Sequence, residues 1–236
     1  MKLNYLISHT GLCFSMKLAR KAICALVFAS ITLLFGCYKE IQSEKNIYSD
    51  DFETSTLNNI DGGILNIYNG TKVLGFYNNS GFKLKKQGLE SHELIRVSFD
   101  LYLHDTWAGN NTGTRDVIDG PDIWELLVDG KKNISTTFSN SGCFPTYCLQ
   151  QSYPKNFPFH HDAGSGAVRV DLPGRCSRQN VVGGTTMYRI ERLIDHSDSN
   201  LHLEFRDLLK QSNTLDNLCD ESWSLDNIHV SIITIK

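Results

Sequence analysis

Apolar positions along the chain fall into short alternating runs. Ile95, Val97, Phe99, Leu101 and Leu103 alternate with Arg96, Ser98, Asp100, Tyr102 and His104. A period of two predicts a strand with one buried face and one wet face. The run enters a polar loop, residues 105–113, then an acidic turn, residues 116–122. A second strand, residues 123–128, closes on the Asp129-Gly130 turn. Upstream, residues 48–53 read as a short strand and residues 58–63 as a turn cluster. Residues 64–67 and 73–77 form a hairpin across Asn69-Gly70. After a turn at residues 78–81, Phe82 to Lys85 reads as an edge-like strand with charges on its wet face. Residues 133–139 are β-prone, and residues 143–165 form a long loop without periodicity. Alternation returns at 168–172, 185–191 and 201–205, and residues 208–217 read as a loop or one helical turn. The last strand spans 223–235, with Ile228, Val230 and Ile232 on one face. About ten short strands without an amphipathic helix predict an all-β fold: an antiparallel β-sandwich, expected to be a jelly roll.

The N-terminus follows another pattern. Residues 16–21 are short and basic, an apolar run from Ala22 to Gly36 follows, and Cys37 ends it. That is the plan of a secretory signal peptide, too short and wrongly flanked for a membrane span. Leu34-Phe35-Gly36-Cys37 resembles the bacterial lipobox, with Phe35 bulkier than the usual occupant. The resemblance implies a signal peptide over residues 1–36, with Met16 as the expected start, and lipidation with palmitate-type chains at Cys37. A tether over 37–47 and a single β-sandwich domain over 48–236 would follow. The expected location is the bacterial cell envelope, lipid-anchored at the outer membrane or cell surface. An ordinary signal peptide with a chance cysteine, or an uncleaved anchor, are the rival readings.

Loss of residues 1–36 removes Lys2, Lys17, Arg20 and Lys21 and no acid, so the net charge falls from −3 to −7. Such a balance excludes the basic footprint of a nucleic-acid binder and any pull toward anionic headgroups. Membrane attachment would come from the lipid alone. Four cysteines follow Cys37, namely Cys143, Cys148, Cys176 and Cys219. An even count in an exported chain predicts two disulfides with three possible connectivities. Cys143 with Cys148 makes a natural small loop and leaves Cys176 with Cys219. Without paired C-x-x-C or a neighbouring His pattern, zinc is the weaker alternative.

Three phrases carry a wider resemblance: residues 99–109 (FDLYLHDTWAG), 120–130 (GPDIWELLVDG) and 220–228 (DESWSLDNI). They look like a jelly-roll module of bacterial secreted and surface proteins, similar in outline to carbohydrate-binding modules and concanavalin-like lectin domains. The opening Asp-Phe-Glu and closing Leu-Asp-Asn-Ile also resemble carbohydrate-binding sandwiches that carry a structural calcium between first and last strands. No family binding motif is matched, so no sugar-contacting residue is carried over.

Strand parity gives the site candidates. Asp226 shares the face of Ile228 and Val230, and Asp105 follows Leu101 and Leu103. A carboxylate turned inward needs a partner, and calcium with its oxygen ligands is one. Asp51, Glu53 and Asp226 form one candidate set if the terminal strands pair. Asp105, Asp116, Asp119 and Asp122 form another, and solvated turn caps are the bland reading of both. Trp107, in a Gly/Asn loop, is the leading stacking residue for a sugar ring, joined by Tyr102, Asp105 and Asn110 as ligand-binding candidates. Trp124 and Trp223 are expected in the core. His160-His161-Asp162 reads as a solvated loop, because adjacent residues of an extended chain face opposite ways. Asp122 and Glu125 fall on opposite faces and do not make a glycosidase pair, and no nucleophile elbow is present. The expectation is a non-catalytic domain binding a glycan or another surface ligand. A divergent glycoside hydrolase and a structural or adhesive surface protein are the alternatives.

Overall fold

The computed structural model describes residues 40–54, 56–114, 119–140, 149–212 and 214–236. Cys37, the signal peptide, Asp116, Cys143 and Cys148 lie outside them. The described strands are β1 (Ile41–Asp50), β2 (Ile60–Asp61), β3 (Leu65–Tyr68), β4 (Thr71–Tyr77), β5 (Gly81–Gln87), β6 (Leu94–Asp105), β7 (Ile123–Val128), β8 (Lys131–Thr137), β9 (Arg169–Pro173), β10 (Val182–Asp195), β11 (Asn200–Leu208) and β12 (Glu221–Ile235). One helical turn, α1 (Asn217–Asp220), precedes β12.

These strands form two antiparallel sheets. Sheet I has the order β3-β4-β12-β6-β10-β9, with β1 also paired to β12, and sheet II the order β2-β5-β11-β7-β8. Eight of them, in the orders β4-β12-β6-β10 and β5-β11-β7-β8, have the connectivity of a jelly roll. Both two-residue hairpins form as their chemistry demands: Asn69 and Gly70, like Asp129 and Gly130, all adopt positive φ. The Ile95-to-Leu103 set is buried, so the strand parity holds.

The sandwich opens earlier than its apolar pattern suggests. Residues 41–47, expected as tether, belong to β1, which pairs with β12 from Ile41 opposite Ile235 to Asp50 opposite Ile228. Gln42 to Asn46 are exposed. An edge strand wet on both faces carries no alternation to betray it.

Aromatic rings knit the sheets together. Trp124 on β7 meets Trp223 on β12 edge-on at 5.8 Å, and Phe82 stacks on its cross-strand neighbour Phe205 at 4.7 Å. Each such pair adds about 0.5–1.5 kcal/mol beyond area burial. At Gly81 a Cβ would lie 1.9 Å from the Phe205 carbonyl oxygen, so no side chain fits there. Cys176 is disulfide-bonded to Cys219, pinning the segment after β9 to α1.

Candidate functional site

Register assembles a platform on the outer face of sheet I. Tyr102 on β6 lies opposite Met187 on β10, which lies opposite Arg169 on β9. One row along, Arg189, Asp100 and Asp226 lie side by side on β10, β6 and β12. The β3–β4 hairpin brings in Tyr68, whose ring sits 5.6 Å from Tyr102 and 4.5 Å from His104. Tyr68, Asn69, Thr71, Asp100, Tyr102 and Arg169, among others, line a groove of about 390 Å³.

Hydrogen bonds make the floor rigid. Arg189 donates to both oxygens of Asp100, at 2.8 and 2.9 Å, and Asn227 adds a third donor at 3.1 Å. The Tyr68 hydroxyl donates to the Pro173 carbonyl at 2.6 Å. His104 is held between Thr185 and Ser224, at 3.0 and 2.8 Å. Burial, helped by Arg175, pushes His104 down to about 3, so its ring is neutral at ordinary pH. Burial, with the Asp226 and Asp100 carboxyls, pushes the Tyr102 phenol up to about 12. The groove therefore offers neutral rings beside two ion pairs, Arg189–Asp100 and Arg169–Asp171.

The expected residues separate. Tyr102 belongs to the platform and Asp226 adjoins it. Trp107 does not: it is 0% exposed, packed in the core, and its indole N–H donates to the Ser222 carbonyl at 2.9 Å. Parity does not extend through a loop, and the turn at Gly109 (φ +67) folds the segment back over the sandwich end. The expected stacking role is corrected on that ground, because a sealed ring offers no face to a ligand. Asp105 is likewise 0% exposed, and its carboxylate accepts the backbone N–H groups of Cys176 and Arg178. It anchors the disulfide-bearing segment rather than meeting a ligand. Asn110 ties the long loop to β8: its Oδ1 accepts from Thr137 and Ser152, and its Nδ2 donates to the Phe159 carbonyl. Asp119 and Asp122 lie at the entry to β7, away from the platform. Glu125 sits on the opposite face of β7 from Trp124, sealed by Arg206 and Lys132. Platform members that the sequence did not single out are Tyr68, Met187 and the Arg189–Asp100 pair. Asp100 was visible on the wet side of β6, while the others enter only through pairing between distant strands.

The terminal strands do pair, and Asp226 feels the acids at the end of β1. Burial pushes its carboxyl up to about 6, with Asp100, Glu53 and Asp51 adding in the same direction. These acids already have donors: Asp51 accepts the Glu53 N–H, Glu53 the Lys72 N–H and Asp226 the Asn227 N–H. The set therefore does not by itself require an ion. Among the described residues no three His, Cys, Asp or Glu side chains converge in a metal-binding geometry.

No protein-family model and no curated protein matches the chain. Solved structures similar to it include a family 35 carbohydrate-binding module from Clostridium thermocellum, at 12% identity and TM-score 0.32, covering 80% of this chain and 97% of the module. A cleaved adhesin domain of Lys-gingipain matches at 16% identity and TM-score 0.32, over 80% of this chain and 97% of that domain. A carbohydrate-binding module from Cellvibrio mixtus lichenase 5A, in complex with cellotriose, matches at 9% identity and TM-score 0.28, over 81% and 97%. Similarity at this level carries no functional information about this chain.

Proposed function

We propose that the domain binds a glycan, without catalysis, on the outer face of sheet I. The observation that carries this reading is the half-buried Tyr102 ring, backed by the buried Tyr68, beside the Arg189–Asp100 fork in one open groove. A sugar ring has an apolar C–H face that packs on an aromatic side chain and a rim of hydroxyls that needs hydrogen-bonding partners. The platform supplies both within one cross-strand neighbourhood. Tyr102 is half-buried, so its position is fixed while part of the ring stays open.

Isothermal titration against a panel of envelope and plant polysaccharides tests this. Tyr102→Ala is expected to weaken binding about tenfold, roughly the 1.4 kcal/mol that one aromatic contact supplies, with the melting temperature nearly unchanged. Equal affinity in the variant would remove the platform from the site.

The same reading places the domain outside the cytoplasm, fastened through lipid at Cys37. The Cys176–Cys219 bridge supports it, since structural disulfides persist in oxidising compartments. Radiolabelled palmitate incorporated by the full chain and lost in Cys37→Ala is the expected result. Equal labelling of both would refute it.

A further inference from the structure

Four inward carboxyls stand at one end of the sandwich: Asp105 closing β6, Asp122 entering β7, Asp207 near the end of β11 and Glu221 opening β12. All are essentially inaccessible to solvent. Two are neutralised by the backbone. Asp105 takes the amides of Cys176 and Arg178, and Asp207 takes those of Asn79 and Ser80 at 2.7 and 3.1 Å. The other two are not. Asp122 Oδ2 accepts the Ala108 N–H at 2.6 Å, but among the described residues its Oδ1 and both oxygens of Glu221 meet no donor beyond a proton held between the two carboxyls themselves. Gln211 Oε1, on the segment leading into α1, is also buried without a donor, while its Nε2 donates to Asp220 at 3.0 Å. The Asp119 backbone pairs with that of Gln211.

From this geometry we propose that Asp122 and Glu221 are ligands of a hard divalent cation, calcium in the first instance, with Gln211 Oε1 completing the protein's share. Two buried carboxyls facing one another are costly unless something positive, a shared proton or a cation, comes between them. Burial pushes both carboxyls up, with Asp119 adding at Asp122 and the Asp122, Asp220 and Asp119 charges adding at Glu221, so without an ion Glu221 keeps a proton that it shares with Asp122. An all-oxygen set containing an amide suits calcium, which takes roughly 6–8 oxygens and accepts backbone carbonyls and water among them. Nitrogen and sulfur ligands are absent from the set, which argues against zinc. The ion would tie the entry of β7 in sheet II to the start of β12 in sheet I, so it closes the end of the sandwich. The inference does not depend on the glycan reading.

Thermal melting of the purified protein in EDTA and in calcium tests it, with terbium as a luminescent probe, since Trp124 and Trp223 each lie two residues from a proposed ligand. Calcium at about a hundred times its Kd is expected to raise the melting temperature by about 5–10 °C. Tryptophan-sensitised terbium emission should appear with it. Both effects should vanish in Glu221→Gln and Asp122→Asn and persist in an Asp51→Asn/Glu53→Gln double variant. In EDTA, Glu221→Gln should melt no lower than the parent, because the amide N–H can stand in for the proton shared with Asp122. Absence of both calcium effects in the parent would overturn the proposal, as would their survival in Glu221→Gln.

Discussion

The two outer faces of this sandwich are built from similar residue types and put to opposite uses. On sheet II the charges are committed to one another. Glu125 accepts from Arg206 at 2.8 and 2.9 Å and from Ser135 at 2.9 Å, with Lys132 on its other side. Burial pushes that carboxyl up, but the donors outweigh it and hold it below its ordinary range. Lys83 meets Glu204 and Lys85 meets Asp61, while the chain near Asn156 lies across β8 through Phe157 and Ser135. Sheet I carries ion pairs too, Arg96 with Glu44 and Glu191 and Arg169 with Asp171, but beside Arg189–Asp100 the half-buried Tyr102 ring faces a groove whose wall includes the buried Tyr68 and Met187. What sets the sheet I face apart is one ring, Tyr102, left partly uncovered beside a polar group whose geometry is already fixed.

Several perturbations sharpen the contrast. The largest is removal of the Cys176–Cys219 bridge, which flanks sheet I and holds the segment that carries Arg175 over the Phe76 ring at 4.2 Å. With its ends 43 positions apart in sequence, loop-closure entropy predicts a loss of about 3–4 kcal/mol on replacing both cysteines by serine, readable by urea denaturation. Next is Glu125→Ala, which strands Arg206 on the sealed face. Breaking a buried pair costs about 3–5 kcal/mol, but Arg206 is 33% exposed and Lys132 55%, so about 2–3 kcal/mol is expected after screening. Glycan affinity should not move, whereas a parallel loss of binding would erase the distinction between the faces. The smallest effect is a pH slope. Asp226 is pushed up to about 6, so the native state holds its proton more tightly than the unfolded chain. Its stabilising contribution is complete below about pH 4 and is lost as pH rises through 6. Asp226→Asn should flatten that part of the stability profile, and an unchanged slope would assign it elsewhere.

Much of the frame was legible because period-two patterning survives wherever a strand has one dry face. β6 and the turns at Asn69-Gly70 and Asp129-Gly130 declare themselves. The first part of β1, residues 41–46, does not, since both its faces are wet, and Trp107 does not, since a loop carries no parity. Tyr102 was readable from the face it occupies, whereas Asp226 was not: the irregularity at Asn227 (φ +52) flips the parity between it and Ile228, so it lies beside Asp100 on the outer face and not inward. Tyr68, Arg189, Gln211 and Glu221 owe their positions to pairings between residues far apart in the chain, which local pattern cannot encode. Asp105 shows the converse case: its inward parity was correct, but backbone amides rather than a cation answer it.

The most direct test of the account is a backbone amide NMR titration with a bound oligosaccharide. Shifts confined to the neighbourhood of Tyr68, Tyr102, Arg169, Met187 and Arg189 are the predicted result. Shifts centred on Lys83, Glu204 and Arg206 would contradict it.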